Sequence, residues 1–382
     1  HELLISLVAN MQFDALSTPA LMLDRNILLR NVAAMSSRMK ENGVSLRPHL
    51  KTSKSADVAR LATNGHSGAI TVSTLAEAAY FLGKGFTDIT YAVGFVPSKA
   101  PQAAALIAQG AKLNLVTDSL AAAQAMTAIE GDAVFPMLVE IDCGDNRAGV
   151  LADGPELLDI AQAIHDATNM ELVGVMTHAG HSYGASDIAG VKAIAEDERS
   201  AVVHAATRLR NAGLPCPIVS AGSTPTAMYA EHFEGLTEMR PGVYMFQDLT
   251  QLSRGVCQRG DLALSVLASV IGHNRHAGHI LLDSGALALS KDIGANAAWP
   301  DTGYGDVCDL TMQPFEGLYV SQVSQEHGIV PVSDVSAFSH IPVGSKVRIV
   351  PNHACITAAA YSYYNIVEGD RVVDEWDRVN GW

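Results

Sequence analysis

The chain lacks any apolar run long enough to cross a bilayer as a helix, and it lacks repeats and low-complexity tracts. A spanning helix needs about 20 consecutive apolar residues. Residues 1–10 are apolar but shorter than that, without the basic start and small-residue cleavage site of a secretory leader. The expectation is a soluble, cytoplasmic protein with no membrane partner. Positive charge is also scarce: 25 Lys and Arg face 40 Asp and Glu, a formal charge of −15. Nucleic acid, whose phosphates want a basic face, is therefore not expected as a partner. Small anions are not excluded, because a pocket can be locally positive on an acidic protein. The five cysteines (Cys143, Cys216, Cys257, Cys308 and Cys355) are scattered and odd in number, which excludes a disulfide framework and fits a reducing compartment.

What is present is a well-packed composition, 48% hydrophobic and 17% charged over 382 residues. That length fits two domains, or one large barrel with an addition. Apolar, β-rich runs at 44–46, 68–72, 88–92, 112–117, 134–141, 172–177, 218–221 and 236–239 alternate with alanine-rich helical stretches such as 74–82, 119–129, 155–167 and 188–212. A first helix over 27–40 has Asp24 and Asn26 as capping candidates. Eight strand–helix units in about 225 residues fit a closed (β/α)8 barrel of class α/β. An open, doubly wound sheet would show the same alternation. After Gly255 the texture turns to strands, at 262–271, 279–282, 315–323 and 346–350. Beyond them lies a hairpin over 364–376 turning at Glu368-Gly369-Asp370. The expected division is a barrel over 18–253 and a mostly β domain over 254–382, with residues 1–17 packing on the latter.

The chemistry-bearing residues follow the carboxyl ends of the expected strands, where barrel enzymes keep their active sites. Lys51 follows the first, in Arg47-Pro48-His49-Leu50-Lys51-Thr52. Its amine can form a Schiff base with a carbonyl cofactor, or it is simply a solvated loop lysine. Arg147 follows the fifth strand, His178 and Tyr183 the sixth, Ser223 and Thr224 the seventh, and Arg240, Gly242 and Val243 the eighth. Ser223 and Thr224 open a short helix, either to hold a phosphate or as an ordinary N-cap. Gly242 and Val243 add amides to the same phosphate or form only a turn. His178 is either a satisfied core histidine or a plane stacked on a flat ring. Arg147 and Arg240 are surface ion pairs, or partners of a phenolate, carboxylate or ring nitrogen. Near the end, Pro351-Asn352-His353-Ala354-Cys355 on an extended segment would point His353 and Cys355 the same way. Imidazole plus thiolate suits zinc; a buried structural cysteine beside an unrelated histidine is the alternative.

These motifs, from Thr18-Pro19 to the C-terminus, resemble the fold-type III pyridoxal-phosphate enzymes, the alanine racemase-like group. The resemblance is stronger still to its D-serine dehydratase and D-threonine aldolase branch. The resemblance implies pyridoxal 5'-phosphate on Lys51, His178 against its ring, Arg147 near its phenolic oxygen and Arg240 near its ring nitrogen. It further implies Ser223, Thr224, Gly242 and Val243 at the phosphate, with Tyr183 a polar neighbour. The metal falls to His353 and Cys355, zinc first, with manganese or magnesium as alternatives. A homodimer with its active site at the subunit interface is also implied, as is a lyase eliminating water from a D-β-hydroxy amino acid: D-serine, D-threonine or D-3-hydroxyaspartate. An aldolase is the nearest rival, and a racemase using Tyr304 as second base comes next. Cys355 stands where aldolases tend to have a carboxylate, which favours elimination. Gln325-Glu326-His327-Gly328 also resembles the branch and carries no assigned role.

Overall fold

The computed structural model describes residues 11–382; the expectation for residues 1–10 lies outside the described residues. Contacts divide the chain into two units, one of residues 33–242 with 379–382, the other of the described residues through Val32 with Val243–Arg378.

The first unit is the barrel. Its strands are β1 (Ser45–Leu46), β2 (Ile70–Val72), β3 (Asp88–Gly94), β4 (Lys112–Thr117), β5 (Phe135–Asp142), β6 (Met170–Thr177), β7 (Ile218–Ala221) and β8 (Glu238–Met239). Each pairs in parallel with its chain neighbour, and β8 returns to β1 through Glu238 opposite Ser45. The remaining gap is closed by a parallel bridge, His49 to Thr71. Leu50 N donates to Thr71 O at 2.8 Å and Thr71 N to Pro48 O at 2.9 Å. That closure decides for the barrel over the open sheet. A further short strand, Val150–Leu151, pairs with β5.

Parallel strands covered by helices are buried on both faces, and β4 shows it from Leu113 to Thr117. Helices begin where a side chain can accept an otherwise orphaned amide. Thr74 accepts from Glu77 N, Ser119 from Ala122 N and Asp187 from Gly190 N. The helix Arg25–Glu41 is capped by Asp24, whose Oδ1 accepts from Ile27 N at 2.9 Å; Asn26 lies inside it.

The second unit is mostly β. Its main sheet runs Met11–Gln12, Arg371–Asp377, Tyr363–Glu368, Ala20–Asp24, Leu264–Asn274, His279–Leu282, Gly328–Pro331 and Gln322–Val323. Lys346–Val350 joins Leu264–Asn274 to Asp306–Cys308. Tyr363–Glu368 and Arg371–Asp377 form the hairpin about Gly369-Asp370. The bounds differ from 18 and 253 because backbone donors must find partners. Ala20–Asp24 is antiparallel to Leu264–Leu267 and parallel to 365–367. Leu249 N donates to Pro351 O. Both segments therefore belong to this unit. The expected strand over 315–323 is two, Pro314–Tyr319 and Gln322–Val323. Val320 N turns to Gly305 O while Ser321 N turns to Ile329 O, so the chain changes neighbours there. Among the described residues no helix is long and apolar enough to cross a membrane.

Candidate active site

The ends of β1, β5, β6, β7 and β8 bring Lys51, Arg147, His178, Gly222 and Arg240 to the wall of one cavity of about 250 Å³. That is near the lower end for small-molecule pockets. Lys51 lies in the turn after β1, exposed, its amide 3.4 Å from His49 Nδ1. His178 Nδ1 donates to Gly222 O at 3.2 Å, so Nε2 is the acceptor of a neutral ring. Burial pushes the imidazole of His178 down to about 3, and Lys51, Arg240 and Arg147 push the same way. Burial and the same cations hold His49 well below the ordinary histidine range. The cavity thus offers two uncharged imidazole planes amid cationic side chains.

Arg240 is buried, donating to Ser220 Oγ at 2.6 Å and Thr177 O at 2.7 Å. Ser220 Oγ in turn donates to Glu238 Oε1 at 2.7 Å, and Glu238 Oε2 accepts from Arg47 Nε at 2.8 Å. Arg47 also meets Asp88 at 2.7 Å. This buried chain fixes Arg240 from below, which gives Arg47 of the quoted motif a structural duty. Arg147 is by contrast half out in solvent, its nearest carboxylate oxygen, on Asp145, 3.9 Å away. It keeps donors for a ligand.

Tyr183, Ser223, Thr224, Gly242 and Val243 do not line the cavity wall. The Tyr183 and His178 rings stand 6.4 Å apart, and Tyr183 Oη accepts from Thr224 N at 3.3 Å. Ser223 is the N-cap of Thr224–Tyr229 in a reciprocal capping box with Thr226. Its hydroxyl also meets Ser182 Oγ at 2.8 Å. The cap reading of Ser223 is therefore realised at its side chain. A Cβ at Gly242 would stand 3.0 Å from His49 O and from Thr52 Oγ1, so a larger residue there would push the β8 loop and the Lys51 turn apart by a few tenths of an ångström. Val243 belongs to the second unit and opens the 3-10 turn Val243–Met245.

His353 and Cys355 also lie in the second unit. They are not on an extended segment: His353 is the extended N-cap of a helix, Ala354–Ala358, and Cys355 sits in its first turn. The helix starts there because Asp248, buried, accepts from Ala354 N at 2.9 Å. The imidazole and thiol still meet, as hydrogen-bond partners. His353 Nδ1 donates to Asp292 Oδ2 at 3.0 Å. Burial opposes the charged imidazole, but Asp292, Cys355 and Asp248 override it and push His353 up to about 11. Imidazole with thiolate is a zinc-type donor pair. Among the described residues no cluster of three or more His, Cys, Asp or Glu has metal-binding geometry. A two-ligand site leaves the other positions to water or substrate.

Sequence reading missed His49, Glu140 and Glu198. Glu140 was detectable as a charge inside the apolar β5, since acidic residues are almost never fully buried without a purpose. Glu198 lies mid-helix in Ile188–Asn211 and is buried beneath the β7 loop, accepting from Gly222 N. Nothing in its neighbourhood in sequence marks it.

Residues 23–250 match the family described as "Alanine racemase, N-terminal domain", and residues 263–367 the one described as "Putative serine dehydratase domain". The chain is 46% identical to D-threo-3-hydroxyaspartate dehydratase of Delftia sp. (strain HT23) over 96% of this chain and 98% of that one. It is 30% identical to D-serine dehydratase of Dictyostelium discoideum, covering 95% and 96%. The solved structure of the Delftia enzyme superposes with a TM-score of 0.94 over 97% of this chain and all of that one. A mutant of that enzyme with a cysteine replaced by alanine is described as a metal-free form, and the histidine replaced in another lies two positions before that cysteine, as His353 lies before Cys355. The chain belongs to the alanine racemase-like, fold-type III pyridoxal-phosphate family and, within it, to the D-serine dehydratase branch.

Proposed function

We propose that this protein eliminates water from a D-β-hydroxy amino acid, giving a keto acid and ammonia, with pyridoxal phosphate on Lys51 and a divalent metal on His353 and Cys355. The observation that supports it most is the placement of the Lys51 amine in a cavity shared with neutral His178 and buried Arg240. Pyridoxal phosphate, when bound, supplies the electron sink for the pair left at Cα once its proton departs. Lys51 would hold the cofactor's aldehyde carbon, and its freed Nζ would take the α-proton. His178 would present its uncharged plane to the ring, and Arg147 would donate to the phenolic oxygen. Arg240, fixed by Ser220 and Thr177, would face the ring nitrogen and disfavour its protonation. Main-chain amides of Ser223, Thr224, Gly242 and Val243 would hold the phosphate, with Tyr183 beside them.

His353 and Cys355 would hold the metal, zinc by their chemistry, and it would supply Lewis acidity toward the β-hydroxyl. Loss of water leaves an enamine, which hydrolyses to the keto acid and ammonia. Family membership supports a homodimer. D-threo-3-hydroxyaspartate, the substrate named for the 46%-identical relative, stands first among substrates, with D-serine next.

Incubation of the metal-loaded holoenzyme with D-threo-3-hydroxyaspartate, D-serine and D-threonine tests this reading. Keto acid and ammonia in equal amounts, lost on chelation, are expected. Glycine with glyoxylate or an aldehyde would instead mark an aldolase, and the L-enantiomer a racemase. Lys51→Ala is expected to abolish the visible cofactor band. His353→Ala is expected to keep the band and lose turnover; undiminished turnover would remove the metal from the reaction.

A further inference from the structure

Glu140 is the one carboxyl among the described side chains lining the cavity around Lys51. It stands on β5 opposite Met176 of β6, which lines the same cavity, and is only 6% exposed. Among the described residues no hydrogen bond or ion pair reaches its carboxylate; Arg147 and Arg240 act on it through charge alone. Buried carboxyls are ordinarily paired. This barrel shows what pairing looks like at an equally buried acid, Glu238, which meets Arg47 at 2.8 Å and Ser220 at 2.7 Å. Glu238 ties strands together; Glu140 ties nothing, and its carboxyl is left to whatever enters the cavity. Burial pushes its pKa up, Arg147 and Arg240 pull it down, and Asp118 and Asp142 add to the push. Three cationic side chains, Lys51, Arg147 and Arg240, share that wall with this single acid.

We propose that Glu140 is the counter-charge of the cofactor cavity, an ionised carboxylate that offsets Arg147 and Arg240 and raises the proton affinity of the nitrogen Lys51 contributes to the bound cofactor. It acts through the field and so is a positioning residue for charge, not a group that transfers a proton itself. An opposite charge favours the cationic form of a nitrogen, whereas Arg147 and Arg240 alone would strip its proton at lower pH. The inference rests on the assignment of the cofactor to Lys51.

The test is an absorbance titration of the visible cofactor band in Glu140→Gln and Glu140→Asp, each reconstituted with pyridoxal phosphate, beside melting of the cofactor-free proteins. In Glu140→Gln the band is expected to persist with its titration midpoint lower by about 0.5 to 1 pH unit. Glu140→Asp, which keeps the charge, is expected to titrate near the parent, and the cofactor-free melting temperatures to agree. Should Glu140→Gln not fold, Glu140→Met removes the charge at similar length and is held to the same shift. An unmoved midpoint overturns the proposal. So does an equal shift in Glu140→Asp, which would make packing the cause. Absence of any visible band in the parent would overturn the Lys51 assignment itself, a failure readily told from the first.

Discussion

Asp292 spends both carboxylate oxygens on the metal candidate's surroundings: Oδ2 accepts from His353 Nδ1 at 3.0 Å and Oδ1 from Gly294 N at 2.8 Å. With Nδ1 so engaged, Nε2 is the nitrogen on the side of Cys355 that would ligate a metal, and the carboxylate makes the imidazole a more basic ligand. Asp292→Asn is therefore expected to weaken zinc binding about 10- to 100-fold, read by competition with a chromogenic chelator, while the cofactor band stays intact. Equal zinc affinity would exclude the orienting role. His353 and Cys355 were legible as a pair, but their local geometry was not. The carboxylate that starts the helix between them, Asp248, lies 106 positions upstream. Lys51, Arg147, His178 and Arg240 stood out as polar residues just past apolar runs. Glu140 shows in the sequence only as a charge inside the apolar β5; that it faces the cavity is decided by the closure of the sheet, which no local pattern reveals.

Most of the barrel strands were readable as apolar runs, and two of them, Lys112–Thr117 and Ile218–Ala221, carry the expected bounds. The stretch over 315–323 misled because its division depends on Gly305 and Ile329, partners that no local pattern reveals. Between β5 and β6 the register slips, with Met137 opposite Leu172 but Leu138 opposite Gly174. Gly174 takes φ +147°, and a Cβ there would overlap the carbonyl of Ile218 on β7. The bulge bends β6 as the barrel curves, and glycine is what allows it. Gly174→Ala is expected to destabilise the protein by about 2–4 kcal/mol, from backbone strain and a forced separation of β6 from β7. Urea unfolding checks it; a parent-like midpoint with an unchanged slope would mean the barrel tolerates the methyl.

At the scale of the whole molecule, buried groups couple folding to pH in opposite directions. His178, held down to about 3 by burial and cations, is neutral when folded and charges when unfolded below about 6.5. Its contribution is present above that pH and is lost as pH falls. Glu198 has the other sign. Burial pushes it up to about 7, against the pull of Thr226, Arg240 and the amides of Gly222 and Ala179. The folded state thus keeps a proton that the unfolded chain releases near 4.5, the unshifted value. Its contribution is full below that value and is lost as pH rises through about 7. Glu198→Gln stays uncharged and still offers an oxygen to Gly222 N, so it should abolish this alkaline loss. Between pH 5.5 and 8.5 the cofactor-free parent is expected to lose about 1–3 kcal/mol more stability than Glu198→Gln. Denaturant unfolding of both proteins at the two pH values measures the difference. Parallel losses would mean that Glu198 is already ionised in the folded barrel and that its partners, rather than a retained proton, meet the cost of its burial.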